Sequence, residues 1–253
     1  MQETTTVLVH GVPETEPIWD PLVPLLDAER IVRLSPPGFG APLPAGFTAT
    51  AEEYRLWLIN QLEEFPHPVD IVGHDFGGIH TLNVVMSRPD LVRSWVCDVI
   101  GIFDPAYQWH ELAHTWQTPG AGEDAIAQMM DVPHADRTAN LIARGLASEV
   151  AHAVAEGMNN TMGDCILRLY RDTAQPAMAT LGRNLEKAAT RPGLSIFASD
   201  DHWVGTDDQR HRTTHRAGAR TEVLDGLGHW WFAENPHAAA AALNTFWREL
   251  RAR

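Results

Sequence analysis

Residues 69–78 read Val69-Asp70-Ile71-Val72-Gly73-His74-Asp75-Phe76-Gly77-Gly78. A β-branched apolar run ends at Gly73, and Gly73-x-Asp75-x-Gly77 leads into a helix-compatible segment. This is the frame of a nucleophile elbow, a strand-to-helix turn in which glycines flank an exposed reactive side chain. Serine usually stands at its centre; here it is aspartate. A carboxylate in that place attacks carbon and forms an ester with the protein, which water must then cleave. The substitution points away from serine-type ester hydrolysis and towards displacement at an sp³ carbon. Glycines at this spacing arise by chance about once in a chain this long, and the bland reading is a tight turn with Asp75 as a surface or capping residue. The strand-like run before Asp75 and the partners downstream favour the chemical reading.

The chain alternates strand and helix patterns on either side of this stretch. Residues 6–9 are an apolar strand ending at His10-Gly11-Val12-Pro13. Residues 18–28 place Trp19, Leu22 and Leu25 on one helical face. A strand at 31–34 runs into Ser35-Pro36-Pro37-Gly38-Phe39-Gly40, which forces a loop. A helix at 50–64 carries the stripe Leu56, Leu58, Ile59 and Leu62; another spans 77–87, and a strand covers 92–100. Short alternation of this kind argues for an α/β fold with a mostly parallel central sheet and helices on both faces. From 103 to 190 the pattern breaks into helix-rich sequence studded with Trp109, Trp116, His110, His114 and methionines. Strand character returns at 193–198 and 220–224, and an alanine-rich helix at 237–252 follows. The expected organisation is a core of residues 1–102 and 191–253 with an inserted helical cap at 103–190.

Composition narrows the function. Net charge is −14 and Lys187 is the only lysine, which argues against binding nucleic acid or anionic lipid. It also disfavours an anionic substrate unless a local arginine pocket overrides it. No run of eighteen apolar residues exists to span a membrane, and the N-terminus has no signal-peptide pattern. Two cysteines, Cys97 and Cys165, build no disulfide framework and fit a reducing cytoplasm. No Cys/His spacing marks a structural zinc site, and no cofactor is expected.

An aspartate nucleophile needs a base to activate water, an acid to orient the base, and N–H donors for the oxyanion. The base is expected at His229, in the glycine-rich loop Gly226-Leu227-Gly228-His229 between the last strand and the last helix. One histidine among thirteen proves little; its place in the chain order singles it out. Asp200 and Asp201 compete for the acid at the end of the 193–198 strand. Spacing favours Asp201, with Asp98 and Asp104 as minor alternatives. The oxyanion donors are expected to be the backbone amides of Phe76 and Val12. The order Asp75, Asp201, His229 is nucleophile, acid, base.

On these residues, with Pro37-Gly38-Phe39-Gly40, the chain resembles the α/β-hydrolase fold superfamily over nearly its whole length. Asp75 narrows the resemblance to epoxide hydrolases and the haloalkane and fluoroacetate dehalogenases. The epoxide hydrolases use cap tyrosines to protonate the epoxide oxygen. Ile166-Leu167-Arg168-Leu169-Tyr170-Arg171 is similar to the segment carrying one of them, and Trp116-Gln117-Thr118-Pro119-Gly120 resembles the segment near the other. No tyrosine aligns in the latter, which leaves Tyr107, His110 or His114 as substitutes. Haloalkane dehalogenases carry a tryptophan after the nucleophile and fluoroacetate dehalogenases an arginine; here it is Phe76. The resemblance therefore implies hydrolysis of an apolar epoxide to a diol. Haloalkane-type dehalogenation and a non-catalytic ligand-binding relative are the alternatives. His74, Trp109, His110 and Trp116 are expected to line the site of a small apolar substrate, and a cap helix offers a surface for a homodimer.

Overall fold

In a computed structural model, which describes residues 4–252, the apolar runs form one six-stranded sheet. Its strands are β1 (Thr5–Val9), β2 (Arg30–Leu34), β3 (Val69–Gly73), β4 (Val92–Cys97), β5 (Gly193–Ala198) and β6 (Arg220–Leu224). The order is β2-β1-β3-β4-β5-β6, and every ladder is parallel. β1, β3 and β5 are buried along their whole length, as strands covered on both faces must be. The chain goes from β1 outward to β2, then returns past β1 to β3. Neighbouring strands whose connections leave in opposite directions open a crevice at their carboxyl ends. Val9 and Gly73 are paired at that edge.

Helix α1 (Ala51–Glu63) starts where the Thr50 side chain accepts the Glu53 N–H, and α2 (Phe76–Ser87) springs directly from the elbow. Between β4 and β5 lies the helical insert: α3 (Glu111–Gln117), α4 (Ala121–Met130), α5 (His134–Ala143), α6 (Ser148–Gly157), α7 (Asn160–Asp172), α8 (Ala177–Leu181) and a 3-10 segment to Thr190. Helix α9 (Asp207–Arg216) joins β5 to β6, and α10 (Trp231–Glu234) and α11 (Pro236–Arg251) follow. The insert is tied to the core: Asp172 accepts the Ala51 N–H at 2.8 Å, and the backbone of Gly157 lies against Thr15.

Three local expectations need correction. Residues 18–28 do not form a helix, only 3-10 turns at Glu16–Trp19 and Val23–Leu25, because Pro17, Pro21 and Pro24 supply no N–H. Leu56 is exposed, and Tyr54 takes its place in the buried face of α1. The 92–100 strand stops at Cys97, after which a 3-10 turn at Ile100–Phe103 turns the chain towards the insert. Among the described residues no helix is long and apolar enough to cross a membrane.

Candidate active site

Every group expected in the constellation sits beyond a carboxyl end of the sheet. Val12 follows β1, Asp75 follows β3, Asp201 follows β5 and His229 follows β6. Asp75 has φ 49° and ψ −126°, a backbone state that costs a non-glycine residue on the order of 1–3 kcal/mol. It is held there because Asp98 accepts its N–H at 3.1 Å. The glycines are required by contact. A Cβ on Gly77 would lie 2.2 Å from the Val9 carbonyl oxygen, and one on Gly11 would lie 2.3 Å from the Asp75 Cβ.

The two carboxylate oxygens of Asp75 have different surroundings. Oδ1 accepts the Val12 N–H at 2.9 Å. Oδ2 lies 3.8 Å from His229 Nε2, too far for a hydrogen bond. His229 Nδ1 donates to Asp201 Oδ2 at 2.8 Å, and Asp201 Oδ1 accepts the Trp203 N–H at 3.0 Å. Of the carboxylates weighed for the acid, Asp201 is the one bonded to His229, while Asp200 accepts from its neighbour Ser199 and Asp104 pairs with Arg212. The Phe76 amide, the other expected donor, stands at the start of α2 and among the described residues makes no hydrogen bond to Asp75.

Electrostatics differentiate the groups. Burial lifts Asp75 to about 6, with His229 and His74 pulling the other way. Burial opposes a charge on His229, but Asp201 outweighs it and raises the imidazole above its ordinary value. Burial would likewise raise Asp201, yet His229 holds it below the usual carboxylate range.

Beneath Asp75 is a second polar cluster that the sequence reading missed. His74 was expected to line the substrate site; instead it is fully buried, absent from the cavity lining, and clamped between two carboxylates. Its Nδ1 donates to Asp98 and its Nε2 to Glu14 at 2.9 Å, so both ring nitrogens carry protons. Burial opposes this charge, but Glu14 and Asp98 raise His74 well above the usual imidazole range. Glu14 is 1% exposed and also accepts the Gly11 N–H and the Trp230 indole N–H. Asp98 accepts the Trp231 indole N–H at 2.7 Å. One buried charged cluster thus ties the turn after β1, the elbow and the loop of His229 together. The available signal was an acid at position 14, directly after His10-Gly11-Val12-Pro13 and two residues before a second acid. Glu14, His74 and His229 offer ligand atoms within 4.8 Å of one another, a spacing open to a cation. A doubly protonated His74 has no lone pair to give one.

Above Asp75 lies a cavity of about 450 Å³ lined by Phe76, Tyr107, Trp109, His110, Trp116 and Tyr170 among others. The expected substrate-lining residues Trp109, His110 and Trp116 are all there. Trp109 is not a free donor, since its indole N–H goes to the Thr173 carbonyl at 3.0 Å. His110 Nδ1 accepts the Ala113 N–H at 3.1 Å, and burial lowers the ring to about 4. It is neutral, and its remaining proton is on Nε2. Tyr170 is packed between Phe76 and Trp116, at 4.9 and 4.7 Å between ring centres. Burial and the nearby Asp75 charge raise its phenol well above the ordinary value, so it stays protonated.

The solved structures that this fold matches include the ancestral haloalkane dehalogenase AncHLD2, with a TM-score of 0.79 and 17% identity over 99% of this chain and 93% of that one. A loop variant of the haloalkane dehalogenase DbeA from Bradyrhizobium elkanii gives 0.76 and 16%, over 99% and 91%. E-2-(acetamidomethylene)succinate hydrolase gives 0.71 and 15%, over 98% and 92%. Likeness at such identity concerns the fold. A curated relative, the (E)-2-((N-methylformamido)methylene)succinate hydrolase of Acinetobacter baylyi, is 29% identical over 89 residues, and the match spans 34% of each chain, about a third of the relative's length. Residues 6–243 match the model of the alpha/beta hydrolase family, and with the parallel sheet, the helical insert and the elbow in place the chain belongs to that family.

Proposed function

We propose that the protein hydrolyses a bond at an sp³ carbon of a small, largely apolar substrate through an ester on Asp75. The observation that carries this reading is the division of labour at one carboxylate: Oδ1 is held by the Val12 N–H, while Oδ2 faces the cavity beside His229. In the first step Oδ2 attacks the carbon, the carbon–leaving-group bond breaks, and its electron pair departs with the leaving atom. In the second, His229 Nε2 takes a proton from water and the resulting hydroxide adds to Asp75 Cγ. Negative charge develops on Oδ1, where the Val12 N–H already points. Collapse breaks the Cγ–Oδ2 bond and releases the alcohol, which takes the proton from His229; Asp75, left as the acid, gives its proton to solvent or, where an epoxide oxygen took the Tyr170 proton, returns it by way of water to Tyr170.

Two observations speak to the leaving group, and they differ. The solved structures reported above include haloalkane dehalogenases, which backs a halide better than an epoxide. Of the indoles on the cavity, Trp109 and Trp230 already donate their N–H groups inside the protein, and among the described residues those of Trp116 and Trp203 have no such partner. Trp116, from the insert, and Trp203, against the His229 ring, are the halide donors in this second reading. The hydroxyl and imidazole over Asp75 favour an epoxide oxygen, which needs a proton as the ring opens. Tyr170 O–H supplies it and His110 Nε2–H hydrogen-bonds beside it.

Single turnover in ¹⁸O-water tests the shared step: label enters Asp75, read by peptide mass, and His229→Gln accumulates the ester. Label found only in product would remove the ester. Parallel panels of terminal epoxides and haloalkanes then decide the leaving group. Tyr170→Phe is expected to cut diol formation by about 10²-fold or more while sparing halide release; the reverse pattern with Trp116→Phe or Trp203→Phe would select the dehalogenase.

A further inference from the structure

A second chamber of about 250 Å³ opens beside the catalytic cavity, and the two share Pro13, Leu112, Trp116 and Arg144 in their walls. Its construction follows from helical spacing. Ala125, Gln128 and Met129 lie on one face of α4; Arg137, Asn140, Leu141 and Arg144 fall at i, i+3, i+4 and i+7 along α5 and its C-cap. The two faces oppose each other across the chamber.

The polar side chains on this lining are Arg137, Arg144, Gln128 and Asn140, all hydrogen-bond donors. Not one carboxylate is among them, in a chain with 33 acidic and 19 basic residues. Many arginines elsewhere lie against carboxylates, among them Arg33, Arg55, Arg88, Arg93, Arg171 and Arg216. Among the described residues Arg137 and Arg144 make no ion pair. Arg137 gives one nitrogen to the carbonyls of Met130 and Val132, while its Nε is buried without a partner. Besides Asp75, the carboxylate on the catalytic cavity is Glu111, and it is not on the chamber. The Met129, Leu141 and Met158 side chains complete an apolar floor.

We propose that this chamber is a subsite for the carboxylate end of the substrate. The reactive carbon lies at Asp75, an apolar chain runs past Trp116 and Leu112, and the carboxylate is received between Arg144 and Arg137. The substrate class is then an alkanoate functionalised at its far end, which the acidic surface would otherwise repel. This deepens the proposed function and rests on it for the position of the reacting carbon.

The test has a catalytic and a binding arm. Turnover is compared for an ω-epoxy- or ω-haloalkanoate of eight to ten carbons (roughly the span of two such cavities) and for its methyl ester. The wild-type protein is expected to favour the acid by about tenfold in kcat/KM. Arg144→Gln, an exposed position with no side-chain partner to lose, collapses that ratio towards one, and Arg144→Glu inverts it. Calorimetry with decanoate and decanol on Asp75→Asn reads the subsite without chemistry: decanoate binds more tightly, and Arg144→Glu removes the difference. Equal binding of decanoate and decanol, or an acid preference that survives both variants, overturns the subsite. Inactivity on every acid and ester with the decanoate preference intact overturns the proposed reaction and leaves the subsite standing.

Discussion

At Asp75 the proposed chemistry and the stability of the fold oppose each other. Its pKa of about 6 is raised above the ordinary carboxylate value by burial, so the folded state favours the protonated acid. Stability from this group is full below the ordinary carboxylate range and is lost as pH rises through about 6. Asp75→Asn should therefore abolish turnover, by about 10³-fold or more, and raise Tm by about 2–6 °C at pH 8. In differential scanning calorimetry the gap should close below about pH 4. Activity follows the opposite sign. Ester formation needs the carboxylate, so its single-turnover rate should fall about tenfold per unit below about pH 6. Glu14 makes a different prediction. Glu14→Ala leaves His74 paired with Asp98 alone and strands three buried donors, the His74 Nε2–H and the N–H groups of Gly11 and Trp230. The expected cost is about 3–5 kcal/mol, measured by urea unfolding, because each buried donor left without an acceptor costs about 1–3 kcal/mol.

Elements place these groups by their ends rather than by their faces. β3 delivers Asp75 and β1 delivers Val12 because the two strands are hydrogen-bonded neighbours whose last residues, Val9 and Gly73, are paired. The packing there admits no Cβ. Gly11→Ala should displace the Asp75 side chain and lower kcat by about 10²-fold or more with the sheet intact, seen as unchanged far-UV circular dichroism. Gly77→Ala meets backbone, not a mobile side chain, and should instead fail to fold or melt far lower. The nearby prolines explain the element that the apolar spacing overstated. Trp19 and Leu22 are fully buried as the spacing of 18–28 suggests, but Pro17, Pro21 and Pro24 break the helical hydrogen bonds, and the segment packs as 3-10 turns.

At the scale of the whole molecule, the insert makes the cavity. Phe76 and Val12 come from the core, Trp109, Trp116 and Tyr170 from the insert, and neither set encloses a substrate alone. The close approach of Gly157 to Thr15, where a Cβ would lie 2.5 Å from Thr15 Cγ2, is one of the contacts that seat α6 on the core. Gly157→Val is expected to wedge the insert outward. Turnover should fall about tenfold or more and dye binding to apolar surface should rise, with secondary structure retained.

Local chemistry was legible in the order of residues. A β-branched run, a glycine frame and an aspartate define the elbow, and alternating strand and helix patterns define a parallel sheet, because both are set by backbone sterics and side-chain periodicity over a few neighbours. That Asp201 and His229 come together beside Asp75 could be read too, since the ends of successive parallel strands converge at one edge. Long-range packing decided the rest. Only the fold could show that His74 is a buried cation rather than a substrate contact, because Glu14 and Asp98 reach it from sequence distances of 60 and 24 residues. The same holds for Trp109, whose indole is consumed by a carbonyl 64 residues away. Whether a polar side chain faces substrate or a partner depends on which segments close over it, and that is a property of the tertiary structure.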